Sequence, residues 1–409
     1  MREASETTDR RSEILDAALR VVVRDGLDGI RSQAVASEAG VSVALPHYYY
    51  PTLEDLVRAV WDRADGAEQE RERALLDGAG SALERLRAFA LAAFDGPAED
   101  VREFWMTRTE FQRRAVFDPS LAEAVRAAEQ RRLAALATAV AAMQADGDAT
   151  AAADAWLIAG RLAGAMDGFG VMLLVDLVSP AAARDGLERL LAGRRDWRYP
   201  QARPLPAVAP MPVDVDADDD RRSAILDATI RLIEREGIAG VHFPEVAVEA
   251  DVSRSLPRYY FRTLGDLLRA TFERDEELAR RRVEWRAAQI TDPLERLRDA
   301  YAHAIADDPA GLRPTWVLWF EYLRIAARDA AERRRANARL AAWVAYDSAI
   351  LRDLRIAGTV PASVDIDAAE QLLLAVDNGA GAFWMLGVLT PERYAAIVDA
   401  TVDDELGLN

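Results

Sequence analysis

Residues 11–59 read RSEILDAALRVVVRDGLDGIRSQAVASEAGVSVALPHYYYPTLEDLVRA, and residues 222–270 read RSAILDATIRLIEREGIAGVHFPEVAVEADVSRSLPRYYFRTLGDLLRA. The two align at an offset of 211 without a gap, and 26 of the 49 positions are identical. A self-match of this length decides the architecture before any local reading does: the chain is a tandem duplication. Weaker similarity continues beyond these heads. Trp105 matches Trp316, Glu110 matches Glu321 and Phe111 matches Tyr322 at the same offset, and Asp167-Gly168 resembles Asp377-Asn378 with the offset slipped to 210. Each copy therefore has a strongly matched head and a diverged body.

Both heads have a helical pattern. Ile14, Leu15, Ala18, Leu19 and Val22 share one helical face. Gly26 and Gly29, like Gly237 and Gly240, end that helix. Short second helices are predicted over 33–39 and 245–250. The turns Gly40-Val41-Ser42 and Asp251-Val252-Ser253 follow, with Ser42 and Ser253 placed to cap third helices over 45–50 and 256–261. Pro46 and Pro257 stand near the start of those helices, which predicts a late or distorted first turn. Thr52 and Thr263 are placed to cap a fourth helix. Helix, short helix, tight turn and short helix make a helix-turn-helix. The bodies are Ala-, Leu- and Arg-rich helices, with breaks expected near Gly96-Pro97, Asp118-Pro119, Asp292-Pro293, Asp308-Pro309 and Gly358. No useful strand alternation occurs, so the expected class is all-α.

The 409 residues carry no cysteine and no lysine; all 51 basic residues are Arg, against 69 Asp and Glu, for a net charge of -18. Thiol, lysine Schiff-base and P-loop chemistry are excluded. The three histidines His47, His242 and His303 lie far apart, so no metal or other cofactor is expected. The acid argues against an unspecific nucleic-acid coat but leaves room for a small local binding face. Residues 199–220 read YPQARPLPAVAPMPVDVDADDD, a Pro-rich and then acidic linker. The polar N-terminus has no signal-peptide core. The longest apolar stretches, such as 171–178 and 372–376, fall short of the ~18 residues that span a bilayer. A soluble, cytoplasmic protein with no membrane partner is expected.

The stretches ILDAALRVVVRDGLDGI, AVASEAGVS and YYYPTLEDL, with their second-copy equivalents, resemble the TetR family of transcriptional regulators, and do so twice. The resemblance is strong over about 50 residues per copy and diffuse over the bodies. It implies an all-α fold of two helix-turn-helix heads, each followed by a helical ligand-binding and dimerisation body, fused into an intramolecular pseudo-dimer that is possible as a monomeric chain. The expected bounds are 1–60 and 221–271 for the heads, 61–198 and 272–409 for the bodies, and 199–220 for the linker. The resemblance also implies that the third helix enters the major groove of a double-stranded DNA operator. Carried over by position, the DNA-facing residues are Gln33, Ser42, Val43, Ala44, His47, Tyr48 and Tyr49, and Ser253, Arg254, Ser255, Arg258, Tyr259, Tyr260 and Thr263. The chain departs from the family where a Lys commonly follows the capping residue of the fourth helix: Leu53 and Leu264 stand there.

Charge separates the two heads. Over 251–264 three Arg oppose one Asp, whereas 40–53 offers His47 and Val43 where the second copy has Arg258 and Arg254. Arg suits both phosphate neutralisation and guanine reading. Head two is expected to bind DNA better, on an operator of two unlike half-sites. In the bodies, Trp105, Met106, Glu110, Phe111, Trp156, Met166, Asp167 and Phe169 of copy one are candidates to line an effector pocket. So are Trp316, Trp319, Phe320, Glu321, Tyr322, Trp343, Asp377, Asn378, Phe383 and Trp384 of copy two. A small hydrophobic or aromatic effector is the expected partner. The function read from these residues is a ligand-responsive transcriptional regulator, in the sense of a repressor. The alternatives are a ligand-binding scaffold with decayed heads and, further off, an enzyme on the same fold. No nucleophile elbow, glycine loop or zinc signature supports the last, so the chain reads as no enzyme.

Overall fold

The computed structural model describes residues 2–151, 154–193, 197, 208–209, 211 and 220–408. Most of the expected linker therefore lies outside the described residues. Copy one consists of α1 (Arg2–Asp25), α2 (Ser32–Ala39), α3 (Ala44–Tyr49), α4 (Leu53–Leu76), α5 (Ala82–Ala92), α6 (Ala98–Ala115), α7 (Pro119–Ala145), α8 (Ala155–Leu174) and α9 (Pro180–Ala192). Copy two repeats the order as α10 (Asp220–Glu236), α11 (Phe243–Glu249), α12 (Leu256–Tyr260), α13 (Leu264–Ala287), α14 (Pro293–Arg298), α15 (Ala304–Asp307), α16 (Pro309–Arg328), α17 (Ala330–Ile356), α18 (Ile366–Met385) and α19 (Pro391–Glu405). Among the described residues there is no strand, as expected.

The boundaries follow from local chemistry. Gly26 and Gly237 adopt φ 76 and φ 70, left-handed values that end α1 and α10 at little cost only for glycine. Thr52 and Thr263 do cap α4 and α13. Each hydroxyl accepts from the backbone N–H of Asp55 or Asp266, whose side chain reaches back to the threonine N–H. Asp118, Asp292 and Asp308 cap helices whose first residue is proline. α4 and α13 run unbroken through residues 60 and 271, so head and body share a helix at both expected boundaries.

The expected serine caps do not form. α3 begins after Val43 and α12 after Ser255, neither with a side-chain cap, and Ser253 Oγ lies 3.4 Å from Ser255 Oγ. The third helices are short, at 6 and 5 residues. Pro257 sits in the first turn of α12, where its missing N–H costs nothing. Pro46, one residue further into its helix, stands in an α3 that is little more than a turn.

One difference between the copies is backbone-deep. Where copy one has the plain helix α5, copy two follows α14 with a π-helical turn at Asp299–His303. Such turns are frequent at functional sites. This one presents Asp299 and Tyr301 to the body interior, at positions where copy one has Ala88 and Ala90.

The copies pack on each other chiefly through α8 and α18. A Cβ on Gly168 would stand 1.7 Å from the Ala375 carbonyl oxygen, and one on Gly379 would stand 2.0 Å from that of Gly164. Gly170 lies under Trp105 just as Gly381 lies under Trp316. These reciprocal contacts, and helix bounds that both differ by 211, correct the expected slip to 210: Asp167 corresponds to Asn378. Arg161, carried into the interface, pairs with Asp404 and, at 2.8 Å, with Glu405. A second correction concerns α8. At 20 residues and hydropathy 1.5 it is long and apolar enough to cross a membrane by composition, but 94% of that window is buried between the helices of this fold.

Because backbone approaches backbone at the crossing, Gly168→Ala and Gly379→Ala are each expected to lower stability by about 1–3 kcal/mol or more, the range for overpacking. Urea denaturation followed by far-UV dichroism checks this. An unchanged midpoint for both variants would show that the helices can separate freely.

Candidate nucleic-acid interface and effector cavity

The reading elements of both heads face outward. Of the fourteen expected DNA-facing residues, all but Tyr49 and Tyr260 are exposed, and those two are half-buried. Tyr48 and Tyr259 are 78% and 80% exposed, each edge-on to its half-buried neighbour at 5.2 and 5.3 Å. The tyrosine pair thus splits, one ring supporting the other. Arg254 is exposed, and Arg258 lies over the Phe243 ring at 4.8 Å, which fixes its guanidinium at the helix surface. Thr263 is already engaged by Asp266, at 2.8 Å. Gln33 stands in the first turn of α2, where copy two has Pro244. Arg11 of α1 packs on Tyr50 and Arg222 of α10 on Phe261, so both brace their heads.

Body two contains a partly open cavity of about 180 Å³. Helix α16 contributes Trp316 and Trp319, α17 contributes Trp343 and Asp347, α18 contributes Asp377 and Asn378, and the π-helical turn contributes Asp299 and Tyr301. Trp319 donates its indole N–H to Asn378 Oδ1 at 2.9 Å, which fixes one wall. Arg286 is held by Asp299 at 2.7 Å, and Arg339 lies over the Trp319 ring at 5.5 Å. Among the described residues, two lining atoms have no hydrogen-bond partner, Asp347 Oδ1 and Arg282 Nη1.

The carboxyls around this space are strongly perturbed. Burial pushes Asp347 up to about 7, against the hydroxyl of Tyr301, which donates to it at 2.7 Å. Burial likewise raises Asp377 to about 7, although Tyr394 donates to it and so opposes the shift. Glu370, just behind, is raised to about 8 by burial and then by the charges of Asp347 and Asp367. Three carboxyls raised by burial around one space make this part of body two a functional-site candidate.

The other candidate lining residues are placed elsewhere. Trp105 is buried against Phe94 and donates to the Ala93 carbonyl at 3.2 Å. Phe111 belongs to the core of head one against Trp61. Met166, Phe169 and Phe383 are core residues. Trp156 is 40% exposed beneath Arg393. Phe320 and Trp384 pack around Trp316, and Tyr322 packs on Phe272. Sequence reading missed Tyr301, Asp347, Arg282 and Tyr394. Their only signal was a polar group at a helix position otherwise facing the core.

Glu110 and Glu321 lie outside the lining of the body-two cavity and engage the heads instead. Glu110 accepts the backbone N–H of Leu27 in head one at 3.1 Å, and Glu321 accepts that of Ile238 in head two at 2.7 Å. Arg113 bridges them, 2.7 Å from Glu110 and 2.6 Å from Glu321. Burial alone would raise Glu110, but Arg113, Arg328 and Arg324 outweigh it and hold the carboxyl below its ordinary value. The pair therefore ties each head to a seam between the copies.

Residues 14–60 and 225–271 match the family described as bacterial regulatory proteins of the tetR type, and residues 82–195 and 293–407 match that of the BetI-type transcriptional repressor C-terminal domain. The chain belongs to the TetR family. Among relatives of this TetR-family chain, the nicotine-responsive repressor HdnoR of Paenarthrobacter nicotinovorans is 40% identical over 53 residues, 13% of this chain and 27% of the relative. The regulator BetI of Burkholderia ambifaria is 31% identical over 115 residues, 28% of this chain and 59% of the relative. The chain thus spans less than two thirds of these curated relatives. A solved transcriptional regulator of Saccharomonospora viridis in complex with choline is 25% identical, with a TM-score of 0.43, over 45% of this chain and 96% of that one.

Removing one partner from a buried ion pair leaves the other charge stranded, at a cost of about 3–5 kcal/mol. Glu321→Gln is expected to destabilise the chain on that scale and to speed hydrogen exchange at the Ile238 amide well before that of the α8–α18 interface. Equal protection at Ile238 in both proteins would show that the carboxylate does not hold the head.

Proposed function

We propose that this chain is a ligand-responsive DNA-binding transcriptional repressor in which both heads of one polypeptide read unlike halves of one operator. The heads are residues 1–60 and 221–271, the bodies 61–198 and 272–409, with 199–220 as the linker. The observation that carries the reading is the path of α16. Trp316 and Trp319 wall the cavity, and Glu321 on the same helix grips head two. An effector alters DNA affinity only if it prefers one arrangement of the heads, and this helix gives it a lever on that arrangement. Fusion supports operator binding by replacing subunit association with a high effective concentration. Two recognition helices on one DNA face need a spacing of about 34 Å or its multiple.

The expectation of a hydrophobic or aromatic effector narrows to an amphipathic cation. Tryptophan faces attract a cation, most strongly where water is excluded. Asp347 offers it an unpartnered oxygen, and Arg282 offers an unpartnered N–H to an oxygen elsewhere on the same molecule.

Selection of bound sequences from random DNA supplies the operator. On it, Arg254→Ala and Arg258→Ala are each expected to weaken binding by about tenfold, the cost of one good base or phosphate contact, and His47→Ala less. Unchanged affinity in both arginine variants would overturn the assignment of head two.

Tryptophan fluorescence on titration with choline, and with its uncharged carbon isostere, tests the effector. The groups facing the site are Arg282, Arg286, Asp299, Tyr301, Arg339, Asp347, Asp377 and Tyr394, with Glu370 behind. Asp347 and Asp377 are protonated below about 7 and Glu370 below about 8. Cation affinity is therefore expected to rise from pH 6 to 8. The empty fold binds extra protons in the window between ordinary carboxylate values, about 4, and these raised ones. Its stability accordingly falls as pH rises through that window. Flat affinity across pH 6–8, or equal affinity for the isostere, would exclude a cation.

A further inference from the structure

The polar cleft of body one and the cavity of body two are one site built twice. Six positions at the common offset of 211 line both: Glu68 and Ala279, Glu72 and Val283, Arg108 and Trp319, Ala128 and Arg339, Glu129 and Leu340, Arg132 and Trp343. Asp167, which pairs with Arg108 behind the cleft, corresponds to Asn378 of the cavity wall. The aromatic wall of body two is thus replaced in body one by two guanidinium groups and a ring of carboxylates.

Arg108 occupies the centre of that ring. Its Nη2 is 2.6 Å from Glu129, its Nε is 2.8 Å from Asp167, and its Nη1 is 3.1 Å from Glu68. All three guanidinium nitrogens are held, and the side chain is 8% exposed. Gln112 donates to Glu129 and Asp167, at 3.1 and 2.9 Å, which fixes the two deepest carboxylates. Arg132 closes the far side on Asp167 at 2.8 Å. A cleft of about 270 Å³ leads to Glu68, Glu72 and Arg108 from outside.

We infer that Arg108 is a tethered occupant of the effector site of body one: the chain fills one of its two sites with its own cation and leaves one free. The inference rests on the reading of the body-two cavity as a cation site. Two consequences follow from the geometry. The chain binds one effector, not two. And removing the Arg108 side chain vacates a planar, bidentate carboxylate cage, whose complement in free solution is a small guanidinium ion.

The test is chemical rescue. In thermal melts, Arg108→Ala is expected to lower Tm by about 5 °C or more, the scale of a broken buried pair. Millimolar methylguanidinium is expected to restore at least half of that loss, saturably, as ligand linkage requires. It should act far less on the unsubstituted protein, and methylammonium, which lacks the fork, should rescue less. Equal melting of variant and parent, or the same methylguanidinium shift in both, would overturn the inference. If the alanine variant does not fold, Arg108→Lys leaves a charge in the cage and room beside it, and the same comparison applies.

Calorimetry of the unsubstituted chain with choline gives the second arm. One site per chain is expected, and two would overturn the inference. No choline binding would instead strike the cationic effector proposed above. Rescue of Arg108→Ala by methylguanidinium then still decides whether body one is a self-filled cage.

Discussion

Arg113 is the residue on which the two copies depend to share one seam. It lies between Glu110 of its own helix and Glu321 of the other copy, and each glutamate simultaneously holds a backbone amide in a head. Burial would raise Glu110, and Arg113 with its neighbours holds that carboxyl below its ordinary value; a buried charge stripped of its partner is costly. Arg328 adds to the knot from the second copy, bonding Glu110 at 3.2 Å and the Val22 carbonyl at the end of α1 at 2.8 Å. A few charged groups of fixed geometry thus fasten the heads at this seam, above an apolar core that runs through both bodies and into head two.

Much of this was legible in the residues. The duplicated heads, the threonine caps and the proline breaks each have a local cause that acts over a few residues, and the structure contains them. The serine caps failed for an equally local reason, since the chain spends another one or two residues turning before either third helix begins. What sequence could not separate was core from cavity. Trp105 and Trp316 stand at equivalent positions under equivalent glycines, yet one is sealed by Phe94 and the other faces open space. That difference comes from the surrounding elements, among them the π-helical turn, a change of hydrogen-bond pattern without any inserted residue and so without a signature in the sequence. The slip to 210 was a false match of the same origin. Two aspartates attracted the alignment, while the helix crossing holds Asp167 opposite Asn378 in register.

Net charge misled in a similar way. At -18 the chain repels a polyanion on average. Much of its acid, however, is spent internally on arginines, in the Arg108 cage, the Arg113 seam and the Arg298 contact with Asp399 and Asp403. What a DNA phosphate would meet is the local surface of α12 and its flanks, where the arginines outnumber the acids.

The gapless register from α1 to α19 has one more meaning. In a symmetric association of identical subunits every substitution is made twice, so a tryptophan wall and an arginine plug cannot coexist at one position. Joining the copies end to end removes that symmetry. Arg108 and Trp319 are the same position under separate inheritance, so one copy can carry a buried arginine cage where the other carries a cavity wall.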